Sequence, residues 1–173
     1  MILEDCSDAV GWVFSNAERL GSSTRRIHLV GHSAGAYNAA MLALDARWLA
    51  RHGLHPRQLA GWVGIAGPYN FLPIVDPDSQ RAFGWPDTPA DSQPIAHVTG
   101  RAPRTLLLAA SEDRVVNPQR NSVELAQRLR GAGVDVMLEM LEGVNHVTII
   151  GALATPLRGL APVRDSVTRF LLS

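Results

Sequence analysis

The run Ile27-His28-Leu29-Val30-Gly31-His32-Ser33-Ala34-Gly35-Ala36 decides how this chain is read. Strand-like residues 27–30 lead into Gly31-His32-Ser33-Ala34-Gly35, and an Ala-rich helical stretch, 36–50, leads out of it. A G-x-S-x-G placed between a strand and a helix is the pattern of a sharp turn that lifts a serine hydroxyl above a sheet. A serine at positive φ is strained, and the pattern predicts that Gly31 and Gly35 give the two passing segments room. A helix opening just after Ser33 aims its first N–H groups, that of Ala34 foremost, and its positive dipole end at any negative charge developing there. The alternative is a glycine-rich turn whose serine only caps the helix.

Working outward, helical spacing of Val10, Val13, Phe14, Ala17 and Leu20 predicts an amphipathic helix over 4–20, stopped by Gly21. The stretch 36–50 is apolar nearly all round and should be buried. Short apolar runs at 62–66, 105–109 and 134–141 read as further strands. Val123, Leu125, Ala126 and Leu129 mark the inward face of a helix over 117–130, and Pro162 opens a last helix over 163–172. Short helical pieces are expected at 92–98 and 148–156. Six of the eleven prolines fall in 71–104, a stretch too long for a simple connection. With Phe71, Phe83 and Trp85 it reads as a lid or pocket loop; a surface excursion packing its own aromatics is the alternative. Helices and strands alternate, which predicts an α/β fold: a mostly parallel sheet of about four strands with helices on both faces. At 173 residues, with no linker or repeat, the chain reads as one domain over 1–173.

Composition narrows the function. Formal net charge is zero and no basic run occurs, which argues against nucleic acid or an anionic membrane as partner. Cys6 is the only cysteine, so no intrachain disulfide can form, and no Cys/His spacing suits zinc. No apolar stretch approaches a membrane span, and the N-terminus lacks a signal-peptide pattern, so a cytoplasmic protein is expected.

Ligand chemistry in such folds gathers at the carboxyl ends of the strands, where Ser33 lies. A serine hydroxyl is a poor nucleophile without a histidine base, and the base needs an acid to hold its tautomer. Asp113 follows the strand over 105–109 by four residues, and His146 follows that over 134–141 by five. The chain order Ser33, Asp113, His146 is the one that accompanies this turn. His28 lies within a strand, His32 within the turn itself, and His52 and His55 beyond the far end of a helix. His97 is the rival base, and Glu112 would replace Asp113 if the loop were shifted by one residue.

These motifs as a set resemble an α/β-hydrolase of the esterase/lipase group, near the small carboxylesterases and kynurenine-formamidase-like enzymes. Gly31-His32-Ser33-Ala34-Gly35 is similar to their serine turn, Gly67-Pro68-Tyr69-Asn70-Phe71 to the loop after their sixth strand, and Asp91-Ser92-Gln93-Pro94-Ile95 to a segment before their seventh. Asp113-Arg114-Val115-Val116-Asn117-Pro118 resembles the acid loop, and Gly143-Val144-Asn145-His146 the histidine loop. The similarity runs from end to end of this chain but covers only the C-terminal two-thirds of the family pattern. Ala109-Ala110 stands where the family often has His-Gly. The early strands and the H-G-G type loop that supply a second oxyanion donor have no counterpart here, so the fold is expected to be N-terminally truncated. The strand before Ser33 should then present an open edge, covered by a second copy or by a missing N-terminal segment. Loss of one oxyanion donor costs about 10²–10³ in rate.

The resemblance implies a serine hydrolase acting through an acyl-enzyme on Ser33, with His146 as base, Asp113 as orienting acid and Ala34 N–H in the oxyanion hole. Carboxylic esters lead as substrate class, aryl formamides follow and peptides come third; no cofactor or metal is implied. The alternative is a catalytically impaired remnant that serves as a folded interaction module.

Overall fold

Apolar runs of five or six residues, bounded by glycine, proline or polar turns, form four strands in the computed structural model, which describes residues 2–173. These are β1 (His28–His32), β2 (Gly61–Ile65), β3 (Thr105–Ala110) and β4 (Val136–Leu141). They lie side by side in chain order, and every pairing is parallel. The helices are α1 (Ile2–Asn16), α2 (Ala34–Leu44), α3 (Ala46–Ala50), α4 (Pro77–Ala82), α5 (Glu124–Gly131), α6 (Thr148–Gly151) and α7 (Val163–Leu172).

Strand alternation divides the core in two. Trp62 of β2 and Leu107 of β3 join α1, α2 and α5 on one face of the sheet. Val63, Ile65, Leu106 and Leu108 point the other way, against Ile149 of α6 and Val163 and Phe170 of α7. Both central strands are fully buried, as strands covered on two faces must be. Truncating one of these leucines to alanine costs about 2–5 kcal/mol.

Local chemistry moves several boundaries. The helical stretch expected over 36–50 is broken at Asp45, whose backbone leaves the helical region at φ −95° and ψ 101°. Its carboxylate accepts from the Arg47 N–H and grips the Arg47 guanidinium, capping α3. The first helix ends at Asn16, and Leu20 lies exposed beyond it. The helix expected over 117–130 opens with a π turn, Gln119–Val123, before α5. The strand before Ser33 runs two residues further than expected, to His32.

The 71–104 stretch contains α4 and two 3₁₀ turns, Ala90–Ser92 and Pro94–His97. It docks on α2 through Tyr37, whose ring meets those of Phe71 and Phe83 edge to face, with centroids 5.9 and 5.4 Å away. The Tyr37 hydroxyl donates to the Ser92 carbonyl at 3.0 Å. Burial, with Asp45 and Asp91 nearby, pushes this phenol up to about 12. Trp85 stays outside the cluster, exposed. Among the described residues β1 pairs only with β2, and Val30 on it is 48% exposed.

Candidate active site

Ser33 follows β1 directly and begins α2. Its backbone sits at φ 53° and ψ −121°, outside the regions open to L-residues, while its N–H still donates to the Ile65 carbonyl at 3.0 Å. Sheet and helix thus meet at one strained residue. Gly31 makes this possible, because a Cβ there would lie 2.2 Å from the Gly35 carbonyl oxygen. Gly35 itself differs from expectation: the space where its Cβ would stand is open. The room is needed on one side of the turn only. Ala34 and Gly35 are exposed at the first turn of α2, where backbone N–H groups have no partner within the helix.

The acid comes from the loop after β3. Asp113 Oδ1 accepts from the N–H groups of Val115 and Val116, both at 2.8 Å, and so folds its own loop into a turn. That leaves Oδ2 to face His146 Nδ1 at 2.7 Å. The Asp113 side chain is 2% exposed and that of His146 12%. Glu112 points to solvent, and its N–H donates to the Val144 carbonyl, tying the acid loop to the histidine loop.

His146 Nε2 lies 2.8 Å from Ser33 Oγ. A carboxylate only accepts, so Nδ1 carries the ring hydrogen; in the neutral ring Nε2 is then bare and accepts from the serine hydroxyl. A carboxylate, an imidazole and a hydroxyl in this series can draw a proton from the hydroxyl and stabilise the resulting imidazolium. The structure therefore brings Ser33, Asp113 and His146 together. His97 is elsewhere: its Nε2 donates to the Asp91 carbonyl and lies 3.8 Å from Asp45, at the opposite end of α2, about 16 Å along the helix axis.

Two site neighbours escape a reading of the sequence alone. His32 Nε2 lies 2.9 Å from the main-chain carbonyl of His146, and the two rings are 4.9 Å apart. Burial is the largest influence on His32 and holds its pKa below the ordinary histidine range, with the His146 ring acting in the same direction. The buried Asn121 is the second. Its Oδ1 accepts from the N–H groups of Tyr69 and Asn70 at 2.7 and 2.8 Å, and its Nδ2 donates to the Asn117 carbonyl. It thereby joins the loop after β2 to the acid loop. A polar residue four positions before Leu125, on the apolar stripe of a helix, was the available signal. Among the described residues no group of three or more His, Cys, Asp or Glu is placed to hold a metal, and no helix is long and apolar enough to cross a membrane.

A parallel sheet carrying this serine turn, acid loop and histidine loop at its carboxyl edge defines an α/β-hydrolase fold of the esterase/lipase kind. The esterase Est2 of Thermogutta terrifontis, solved with propionate bound, superposes with a TM-score of 0.74 at 19% identity, over 98% of this chain and 64% of that one. The model of the BD-FAE family matches residues 1–129, and the chain belongs to that family. Curated relatives include a protein named as a probable isoprenylcysteine alpha-carbonyl methylesterase of Arabidopsis thaliana, 24% identical over 91% of this chain and 37% of its own length. Esterase LipC of Mycobacterium tuberculosis is 26% identical over 73% of this chain and 35% of its own. The chain thus spans under half the length of these relatives.

Proposed function

We propose that this chain carries the nucleophile, base and acid of a serine esterase. The observation behind this reading is the unbroken series from Asp113 Oδ2 through His146 to Ser33 Oγ, at 2.7 and 2.8 Å. The names of the curated relatives support carboxylic esters as the substrate class.

Ser33 Oγ attacks the ester carbonyl while His146 Nε2 takes its proton. General base catalysis of this kind contributes about 10²–10⁴ in rate. Asp113 holds the Nδ1–H tautomer and stabilises the imidazolium. The oxyanion of the tetrahedral intermediate faces the Ala34 N–H and the positive end of α2. The intermediate collapses as His146 returns the proton to the departing alcohol, leaving an acyl group on Ser33. Water, activated by the same imidazole, then attacks the acyl carbon and frees the acid. The 71–104 segment, docked on α2 through Tyr37, forms the wall of the substrate pocket within a single domain.

A fluorophosphonate probe tests the reading. Labelling of the folded protein, lost in Ser33→Ala, supports it, as does turnover of p-nitrophenyl acetate. Absence of both from folded protein would sink it.

A further inference from the structure

β1 and β4 lie at opposite edges of the sheet, about 14 Å apart at three strand spacings. His146 nevertheless reaches Ser33 at the end of β1, five residues after leaving β4 at Leu141. Its loop therefore crosses the carboxyl ends of β3 and β2. At the near side it is held by backbone bonds from Ser111 N–H to Leu141 O and from Glu112 N–H to Val144 O. At the far side the backbone contact comes from His32, through the 2.9 Å bond to the His146 carbonyl. A carbonyl oxygen only accepts, so His32 Nε2 carries the hydrogen and donates. On either side the carbonyls bond within their own turn: Asn145 O accepts from the Ile149 N–H and, at 3.5 Å, the Thr148 hydroxyl, and Val147 O accepts from the Gly151 N–H. The carbonyl of His146 is held by a side chain from a distant element, the ring at the end of β1.

We propose that His32 is a positioning residue: its ring clamps the main chain of His146 to the end of β1, so that consecutive residues, 32 and 33, hold the backbone and the ring of the same histidine. The inference rests on the serine esterase reading. Held at both points, the imidazole cannot swing away from Oγ when the hydroxyl hydrogen leaves. Misplacing a catalytic group by about 1 Å costs on the order of 10²-fold in rate. Binding of the substrate needs no such alignment, so the clamp acts on kcat rather than on KM.

The experiment compares wild type, His32→Leu and His32→Gln with p-nitrophenyl acetate and with the fluorophosphonate probe. The glutamine amide can donate to the same carbonyl; leucine cannot. Expected is a fall in kcat of about 10–100-fold in His32→Leu, with KM within threefold, probe labelling slowed in parallel, and recovery to within about threefold of wild type in His32→Gln. The downfield proton resonance of the His146 Nδ1–H to Asp113 bond should broaden in His32→Leu and persist in His32→Gln. If His32→Leu does not fold, His32→Asn, too short to reach the carbonyl, takes its place in every measurement. Equal kcat and equal labelling rates in wild type and the leucine or asparagine variant overturn the inference alone. So does a kcat that glutamine fails to restore. A wild-type protein that neither labels nor turns over overturns the esterase reading, and this inference with it.

Discussion

Ser33 and Ala66 stand next to each other across the β1–β2 ladder, and both have left-handed backbones, with φ of 53° and 48°. The register pairs His32 with Ile65, so the two residues that follow are neighbours at the carboxyl edge. Positive φ in a residue with a Cβ costs on the order of 1–3 kcal/mol and persists only where the surroundings impose it. Here two adjacent strands store it side by side, beneath the site.

The strain at Ser33 predicts a trade between stability and chemistry. Ser33→Gly removes the Cβ penalty, and glycine's extra freedom in the unfolded chain returns about 0.4–1 kcal/mol of the gain. The net expectation is a variant more stable than wild type by about 1 kcal/mol and without esterase activity, whereas Ser33→Ala gains nothing from backbone relief. Urea midpoints of the three proteins measure this. Ala66→Gly should gain less than Ser33→Gly, because the Ala66 methyl is buried in the core and its loss offsets the relief.

The two glycines of the turn should respond in opposite ways. A Cβ on Gly31 meets the backbone of Gly35 and Ala36, which cannot rotate aside as a side chain could. Gly31→Ala should destabilise by about 3 kcal/mol and separate Ser33 from His146. Gly35→Ala meets open space in the first turn of a helix, where alanine outranks glycine by up to about 1 kcal/mol. It should keep or raise the thermal midpoint. Equal midpoints for the two variants would contradict the packing described for the turn.

Asn121 gives a prediction about the loops. Asn121→Ala strips acceptors from the N–H groups of Tyr69 and Asn70, and Tyr69 is wholly buried, so that donor finds no water. A buried donor left unsatisfied costs about 1–3 kcal/mol. Equilibrium unfolding should report a loss of that order, and hydrogen exchange should show lost protection at the Tyr69 and Asn70 amides while the β3 amides keep theirs. Unchanged exchange at 69 and 70 would mean that the side chain does not hold this loop.

What could be read before the structure, and what could not, follows from the range of the interactions. The turn at Ser33, the four apolar runs and the inward face of α5 are written in neighbouring residues, and local spacing finds them. The break at Asp45 lies inside an apolar run that reads as continuous helix, because the residue types do not show that the Asp45 carboxylate caps a new helix at Arg47 rather than facing solvent. The π turn at 119–123 coincides with Asn121, whose partners lie about fifty residues away. His32 reads from local sequence only as part of the turn, because its partner, His146, is 114 residues distant. Gly35 matched a motif whose steric demand falls on Gly31 alone. For Asn121 and His32 the missing information is a tertiary contact; for Asp45 and Gly35 it is a local backbone geometry that residue types alone leave open.

Two half-buried histidines make stability depend on pH with a definite sign. Burial holds both His28 and His32 below the ordinary histidine pKa, so in the unfolded chain each binds a proton at a higher pH than in the fold. Between the folded and unfolded values the unfolded state carries more protons, and stability rises with pH. The contribution of each is fully present above about pH 6.5 and is lost as pH falls below it. Glutamine at position 32 keeps a donor for the His146 carbonyl and cannot take a proton. His32→Gln should therefore match wild type in urea midpoint near pH 7.5 and exceed it near pH 5, because one of the two half-buried histidines no longer resists protonation. The difference in slope is bounded at about 1.4 kcal/mol per pH unit, the value for a single proton. Parallel stability curves for the two proteins from pH 7.5 to 5 would show that the His32 ring takes up its proton as readily folded as unfolded.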